Sequence, residues 1–208
     1  MKFYTHLLLL TLTINFIVGC NSTQDTNKTS VDTDKEITEI LNPYKTVAAD
    51  EICEVMVPKY FTEMNDINPK AIIQYGYVEE EDTINPNYIE DEIYMIVLVD
   101  YKYEIQKVYG DTIEVGIEFF NQICHADLAS ILEDFSAEHQ HPKVQVENGV
   151  KHIHNEFLGR IDEYLVYYQI GIFETETGFY QVLTWTMQEY MNKHKDEMLK
   201  MTTSFKEL

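Results

Sequence analysis

Basic residues are scarce in this chain: 15 Lys and Arg stand against 36 Asp and Glu, a formal charge of −21. Phosphate-backbone binding depends on Lys and Arg neutralising phosphates. Nucleic acid is therefore excluded as a partner, and so is peripheral attraction to an anionic lipid surface. Glycine is also sparse, at eight residues, and no Gly-Lys-Ser/Thr closes a phosphate loop. No Gly-x-Ser-x-Gly elbow and no HExxH occurs, so hydrolase and zinc-protease signatures are missing. No apolar run reaches the ~20 residues needed to cross the hydrocarbon of a bilayer. Internal repeats and a Pro/Gly linker that would split the body are absent as well.

What is present begins at the N-terminus. Lys2 is followed by the apolar run Leu7-Leu8-Leu9-Leu10-Thr11-Leu12-Thr13-Ile14 and by Phe16-Ile17-Val18, the plan of a signal peptide. The run ends at Ile17-Val18-Gly19-Cys20, which resembles the lipobox of bacterial lipoproteins, where a cysteine after a small residue is acylated and becomes the new first residue. The resemblance implies residues 1–19 as a cleaved lipoprotein signal peptide and Cys20 as the lipidation site, with a covalent lipid such as palmitate as the only cofactor. Two or three acyl chains anchor stably where one is marginal, since each buried methylene contributes about 0.8 kcal/mol. Cleavage removes Lys2 and moves the formal charge from −21 to −22, so the lipid must supply the membrane attachment.

Residues 21–36 contain Val31 as their only apolar side chain. Such a segment buries too little surface to offset its ordering entropy and reads as a disordered tether. Residues 20–36 are thus the lipidated cysteine and tether, and residues 37–208 one domain by length. Asn21 after the cysteine resembles the sorting signal that sends lipoproteins to the outer membrane, placing the domain outside the cytoplasm, facing the periplasm or the cell surface.

Within the domain, residues 37–50 read as a weak helix or an irregular lead-in broken at Asn42-Pro43, with order starting near Glu51. Residues 52–57 and 71–78 alternate as strands. Glu92–Asp100 is a nearly continuous apolar run and fits a central strand covered on both faces. From Thr112 to Ser136 the period becomes helical, with the stripe Ile117, Phe120, Cys124, Leu128, Ile131, Phe135. Asn148-Gly149 between Lys143–Glu147 and Val150–Phe157 is the dipeptide of a tight hairpin. A second hairpin joins residues 163–173 to 178–186, the four strands being antiparallel neighbours, and a final helix covers Gln188–Met201.

This order of elements is similar to the PsbP-like family. The local matches are Val57-Pro58-Lys59-Tyr60-Phe61, the strand Gly178-Phe179-Tyr180-Gln181-Val182-Leu183-Thr184-Trp185-Thr186, and the closing Ser204-Phe205-Lys206, across residues 50–208. The resemblance implies an α+β fold, an antiparallel β-sheet flanked by helices in an α/β/α sandwich. It also implies a binding or assembly accessory with an envelope-protein partner rather than an enzyme. The matched positions are scaffold, and no functional residue carries over.

Candidate chemistry is limited. His139 and His141 in a loop, and His152 and His154 on one strand face, have the spacing of metal ligands for zinc or copper; an ordinary wet face with Ile153 and Phe157 inward is the simpler account of the strand pair. Glu79–Asp82 with Glu90-Asp91-Glu92 carries the oxygen ligands calcium uses but not the spaced pattern of a calcium loop, and reads as a solvated acidic loop. Cys53 and Cys124 could pair in an oxidising compartment, yet each sits on an apolar stripe, where a buried thiol behaves as a small hydrophobe. Cys124-His125 are adjacent, but consecutive helical residues diverge by about 100°.

Overall fold

A computed structural model describes residues 42–79, 91–110, 113–137 and 142–208. The expected signal peptide and tether, Cys20, the Glu80–Asp82 part of the acidic stretch with Glu90, and His139 and His141 lie outside the described residues. The segment Tyr44–Leu208 forms one compact unit.

Among the described residues, eleven strands build two antiparallel sheets. The smaller joins β1 (Tyr44–Ala49), β2 (Cys53–Pro58) and β11 (Lys206–Glu207) in the order β1-β2-β11. The larger runs β3 (Thr62–Glu63), β4 (Ile73–Val78), β5 (Glu92–Tyr101), β10 (Gly178–Met187), β9 (Tyr164–Glu174), β8 (Val150–Ile161), β6 (Glu133–Ala137), with β7 (Gln145–Glu147) beside β8. The helices are α1 (Lys102–Tyr109), α2 (Ile117–Ile131) and α3 (Met191–Thr202), the last preceded by a 3-10 turn at Gln188–Tyr190. This is the expected α+β architecture, a sheet with helices on both faces.

Strand alternation decides what each face buries. Ile93, Met95 and Val97 of β5, Tyr180 and Val182 of β10, and Tyr167 and Phe173 of β9 join one apolar cluster with Cys53, Val55 and Val57 of β2 and Met198 and Met201 of α3. On the opposite face α2 lies against the sheet, with Phe120 stacked on Phe179 at 4.4 Å. The middle of β5 serves both layers: Ile93 through Val97 are buried in succession, as its unbroken apolar run requires.

The central hairpins follow the sequence closely. Asn148 and Gly149 both have positive φ, 51° and 84°, the geometry of a type I′ turn. β9 and β10 pair over nine positions from Phe179↔Glu174 to Met187↔Val166. Helix α3 buries His194, Met198, Met201 and Thr202, the i, i+4, i+7, i+8 stripe of an amphipathic helix. Its last turn meets β9 at Gly171, where a Cβ would lie 1.9 Å from the carbonyl oxygen of Thr202.

Two expectations are corrected. Residues 44–49 are neither helix nor irregular but strand β1, paired with β2 from Tyr44↔Pro58 to Ala49↔Cys53; alternation over six residues is too weak a signal without its partner. Helix α2 is shorter than Thr112–Ser136: it starts at Ile117 and ends at Ile131, which is left exposed, while Leu132 turns inward and Phe135 belongs to β6. The cause is pairing of Glu133–Ala137 with β8, which offers backbone partners that a further helical turn would forgo. Of the two readings open for the cysteines, burial is the one observed: Cys53 and Cys124 are both buried free thiols, one in the cluster under α3 and the other on α2 across the sheet.

Candidate functional site

The histidine pair of β8 keeps its shared face but is drawn into local contacts. His152 Nε2 lies 3.2 Å from Gln145 Oε1 and its ring stacks on Phe173 at 5.8 Å. His154 Nε2 lies 3.2 Å from Gln169 Oε1. Ile153 and Phe157 point inward, as expected, but His152 and His154 are half-buried rather than wet. Among the described residues, no group of three or more His, Cys, Asp or Glu side chains gathers as a metal would require.

Cys124 and its neighbours form a polar seam beneath α2. Its thiol donates to Gln181 Oε1 at 3.3 Å, and Gln181 Nε2 donates to Asp100 Oδ2 at 2.9 Å. Burial, reinforced by Asp100 and Asp127, pushes the Cys124 thiol far above its ordinary pKa, the opposite of what an attacking cysteine needs. Cys53 is pushed up to about 11 by burial and then by Glu207. His125 approaches Asn155 Oδ1 at 3.3 Å, and Asn155 Nδ2 donates to Asn121 at 2.9 Å. The chemical groups of this helix are thus consumed by its own packing.

The most concentrated chemistry was not singled out in the sequence. Asp91 is no part of a solvated loop: it is completely buried at the start of β5. His194 Nε2 lies 2.7 Å from Asp91 Oδ1, and His194 Nδ1 lies 3.3 Å from Glu197 Oε2. Lys193 Nζ forms an ion pair with Asp91 Oδ2, and Tyr60 donates its hydroxyl to Glu197 Oε2 at 2.6 Å. Three chain segments meet here: the turn after β2, the start of β5 and the first turns of α3. A buried carboxylate is tolerated only when paired and hydrogen-bonded, and Asp91 has both. Burial alone would lower the His194 pKa, but Glu197 and Asp91 outweigh it and raise it above the ordinary imidazole value. The hydrogen bond from His194, with that of Tyr60, holds Glu197 below the usual carboxylate range against its burial. Burial and Glu197 keep the Tyr60 phenol protonated.

A second network lies further along the same face of the sheet. Glu156 Oε2 accepts from Tyr167 at 2.7 Å and from Lys195 at 2.6 Å. Gln169 donates to the Tyr167 oxygen at 2.9 Å and to the Lys195 carbonyl at 3.1 Å. Burial, then Glu156, pushes the Tyr167 phenol up to about 12. Among the described residues, every buried side-chain nitrogen or oxygen has a hydrogen-bond partner. One recess of about 150 Å³, lined by Glu63, Met64, Gln74 and Tyr75 among others, is well below the ~300–1,000 Å³ of a small-molecule site.

The outer surface is different. Helix α1 buries only Ile105, yet carries Tyr103 and Val108 at 67% and 73% exposure and Tyr109 at 43%. Tyr103 stacks on Tyr101 at 5.8 Å, and Tyr109 meets Phe119 edge-on at 5.2 Å. Among the described residues, no helix is long and apolar enough to cross a membrane.

No protein-family profile matches the chain, and no curated protein matches it in sequence. Solved structures do. LpqN of Mycobacterium tuberculosis, a protein involved in cell envelope biogenesis, is similar at a TM-score of 0.50 and 12% identity, covering 79% of this chain and 90% of its own. Cyanobacterial PsbP from Synechocystis is similar at a TM-score of 0.43 and 12% identity, covering 80% and 93%. A Pseudomonas aeruginosa protein of unknown function follows at 0.42 and 10%, covering 74% and 90%. At these identities the likeness to LpqN is one of fold alone.

Proposed function

We propose that the chain is an extracytoplasmic lipoprotein, held to a membrane by lipid on Cys20, whose domain serves as a non-enzymatic binding or assembly module. The observation that carries the reading is the apolar run ending at Gly19-Cys20 and passing directly into a polar tether. Supporting it, the side chains that could do chemistry, Cys124, His125, His154 and His194, are each spent on hydrogen bonds within the fold. Tyr103, Val108 and Tyr109 face outward on α1, and aromatic side chains of this kind supply much of the energy at protein interfaces. The solved neighbour LpqN belongs to envelope biogenesis, and an accessory role at the envelope, at the outer membrane by the residue after Cys20, is the reading we extend to this chain.

The test is metabolic labelling with an alkyne fatty acid in a bacterial host, followed by membrane fractionation. The parent chain should take up label and sediment with membranes, whereas Cys20→Ala should lose both properties. A Cys20→Ala chain that still sediments with membranes, or a parent chain that takes no label, overturns the lipoprotein reading.

A further inference from the structure

The geometry around His194 leads beyond a static fold. Both ring nitrogens face carboxylate oxygens, Asp91 Oδ1 at 2.7 Å and Glu197 Oε2 at 3.3 Å. An ionised carboxylate only accepts hydrogen bonds, and a neutral imidazole has one N–H to give. Satisfying both sides needs the imidazolium. The ring is 2% exposed and Asp91 0%, so water cannot replace a lost contact cheaply.

We propose that the Asp91–His194–Glu197 bridge is a proton-operated latch that fastens the first turns of α3 to the start of β5 and loosens when His194 gives up a proton. The bridge spans 103 residues of sequence, and α3 is the element that lies over both β9 and β10 and also meets β2. Opening it therefore affects the seam between the two sheets. Tyr60, bound to Glu197, carries the effect to the turn after β2.

Among the described residues, the charged and titratable groups facing the ring are few. Asp91 comes from the position just before β5, Glu197 and Lys193 from α3 itself, and Tyr60 from the turn after β2. Farther out, Tyr44 of β1 senses Glu197, and Tyr190 and Glu79 sense the Asp91–Lys193 pair. Lys193 satisfies the second oxygen of Asp91, so loss of the His194 proton leaves Asp91 half-paired rather than bare. The raised His194 pKa fixes the sign. The group's contribution is complete below the unfolded value of about 6.5 and is lost as pH rises through the folded value.

The experiment is nitrogen-15 NMR of the histidine rings in the full chain, in detergent micelles, from pH 5 to 9, alongside urea unfolding of the parent and His194→Gln over the same range. His194 should carry protons on both ring nitrogens at pH 6.5, with a titration midpoint above 6.5. The parent's urea midpoint should fall as pH rises through that midpoint, and His194→Gln should lack this step. A His194 ring carrying one proton at pH 6.5, or a midpoint at or below the ordinary value, overturns the proposal from the parent spectra alone, even if the variant fails to fold. A pH step of equal size in a folded His194→Gln overturns it as well.

Discussion

Substituting Gly171 by alanine tests how α3 is held to the sheet. The strand conformation at Gly171 is ordinary, since the residue is not among the positive-φ positions, so alanine on its own would stabilise a strand by roughly 0.5–1 kcal/mol relative to glycine. Space decides otherwise. The new Cβ would stand 1.9 Å from the Thr202 carbonyl oxygen and 3.0 Å from its carbon and from the Phe173 ring. The first of these is backbone, which cannot rotate away, so the last turn of α3 must lift and partly uncover Met198 and Met201, both fully buried. Overpacking typically costs about 1–3 kcal/mol, and the shift of a helix end places this case at the upper end, about 3 kcal/mol. For a body of this size a loss of 1 kcal/mol lowers Tm by roughly 2–4 °C, giving an expected drop of about 6–12 °C. Gly149→Ala is the control: its φ is +84° but nothing lies within 4 Å of the added Cβ, so only backbone strain of about 1–2 kcal/mol applies. Urea unfolding of both variants measures the difference. Gly171→Ala as stable as the parent, or less damaging than Gly149→Ala, would refute the claim that the helix rests on a bare strand backbone.

Two further outcomes follow from the same geometry. Glu174 receives Lys102 at 2.9 Å, Lys151 at 3.4 Å and the backbone N–H of Ile117 at 3.2 Å, tying the start of α1, β8 and the start of α2 together. Burial alone would raise its pKa, but Lys102 and Lys151 outweigh it and hold the carboxylate below its ordinary value. Its contribution is therefore present above the unfolded pKa and lost as pH falls through the folded one. Glu174→Gln should cost about 1–2 kcal/mol near neutrality and should flatten the acid limb of a stability–pH curve, which an unchanged limb would contradict. Cys53 and Cys124, buried and held protonated, should resist Ellman's reagent in the native Cys20→Ala chain for as long as it stays folded. Both should then react on unfolding in urea, whereas rapid native labelling of Cys124 would show that α2 opens or that the seam beneath it is wet.

The legible parts of the fold were those whose signal is local. The unbroken run of β5, the Asn148-Gly149 turn, the alternation of β9 and β10 and the spacing of Met198 and Met201 each express a backbone period within a few neighbouring residues. Short or mixed elements were not legible this way. Strand β1 alternates weakly and exists because β2 offers six paired positions. Helix α1 was missed because its eight residues bury only Ile105 and span too few turns for a helical period to stand out. The end of α2 was misplaced because Phe135 continues the helical spacing, although Glu133–Ala137 gains more by pairing with β8.

The candidate site shows the same division. The sequence by itself determined the apolar N-terminal run ending at Cys20, the acidic composition, the α+β order of elements and the inward faces of the long strands, because composition and periodicity act over short distances. Only the tertiary structure decided that Asp91, written among acidic neighbours, is sealed inside, and that His194, an ordinary polar letter of the last helix, is its partner. An amide–carbonyl ladder or an apolar stripe advertises itself along the chain. A buried ion pair between residues far apart in sequence does not, because its energy depends on burial and on a meeting of side chains that exist only after the sheets and α3 have closed around it.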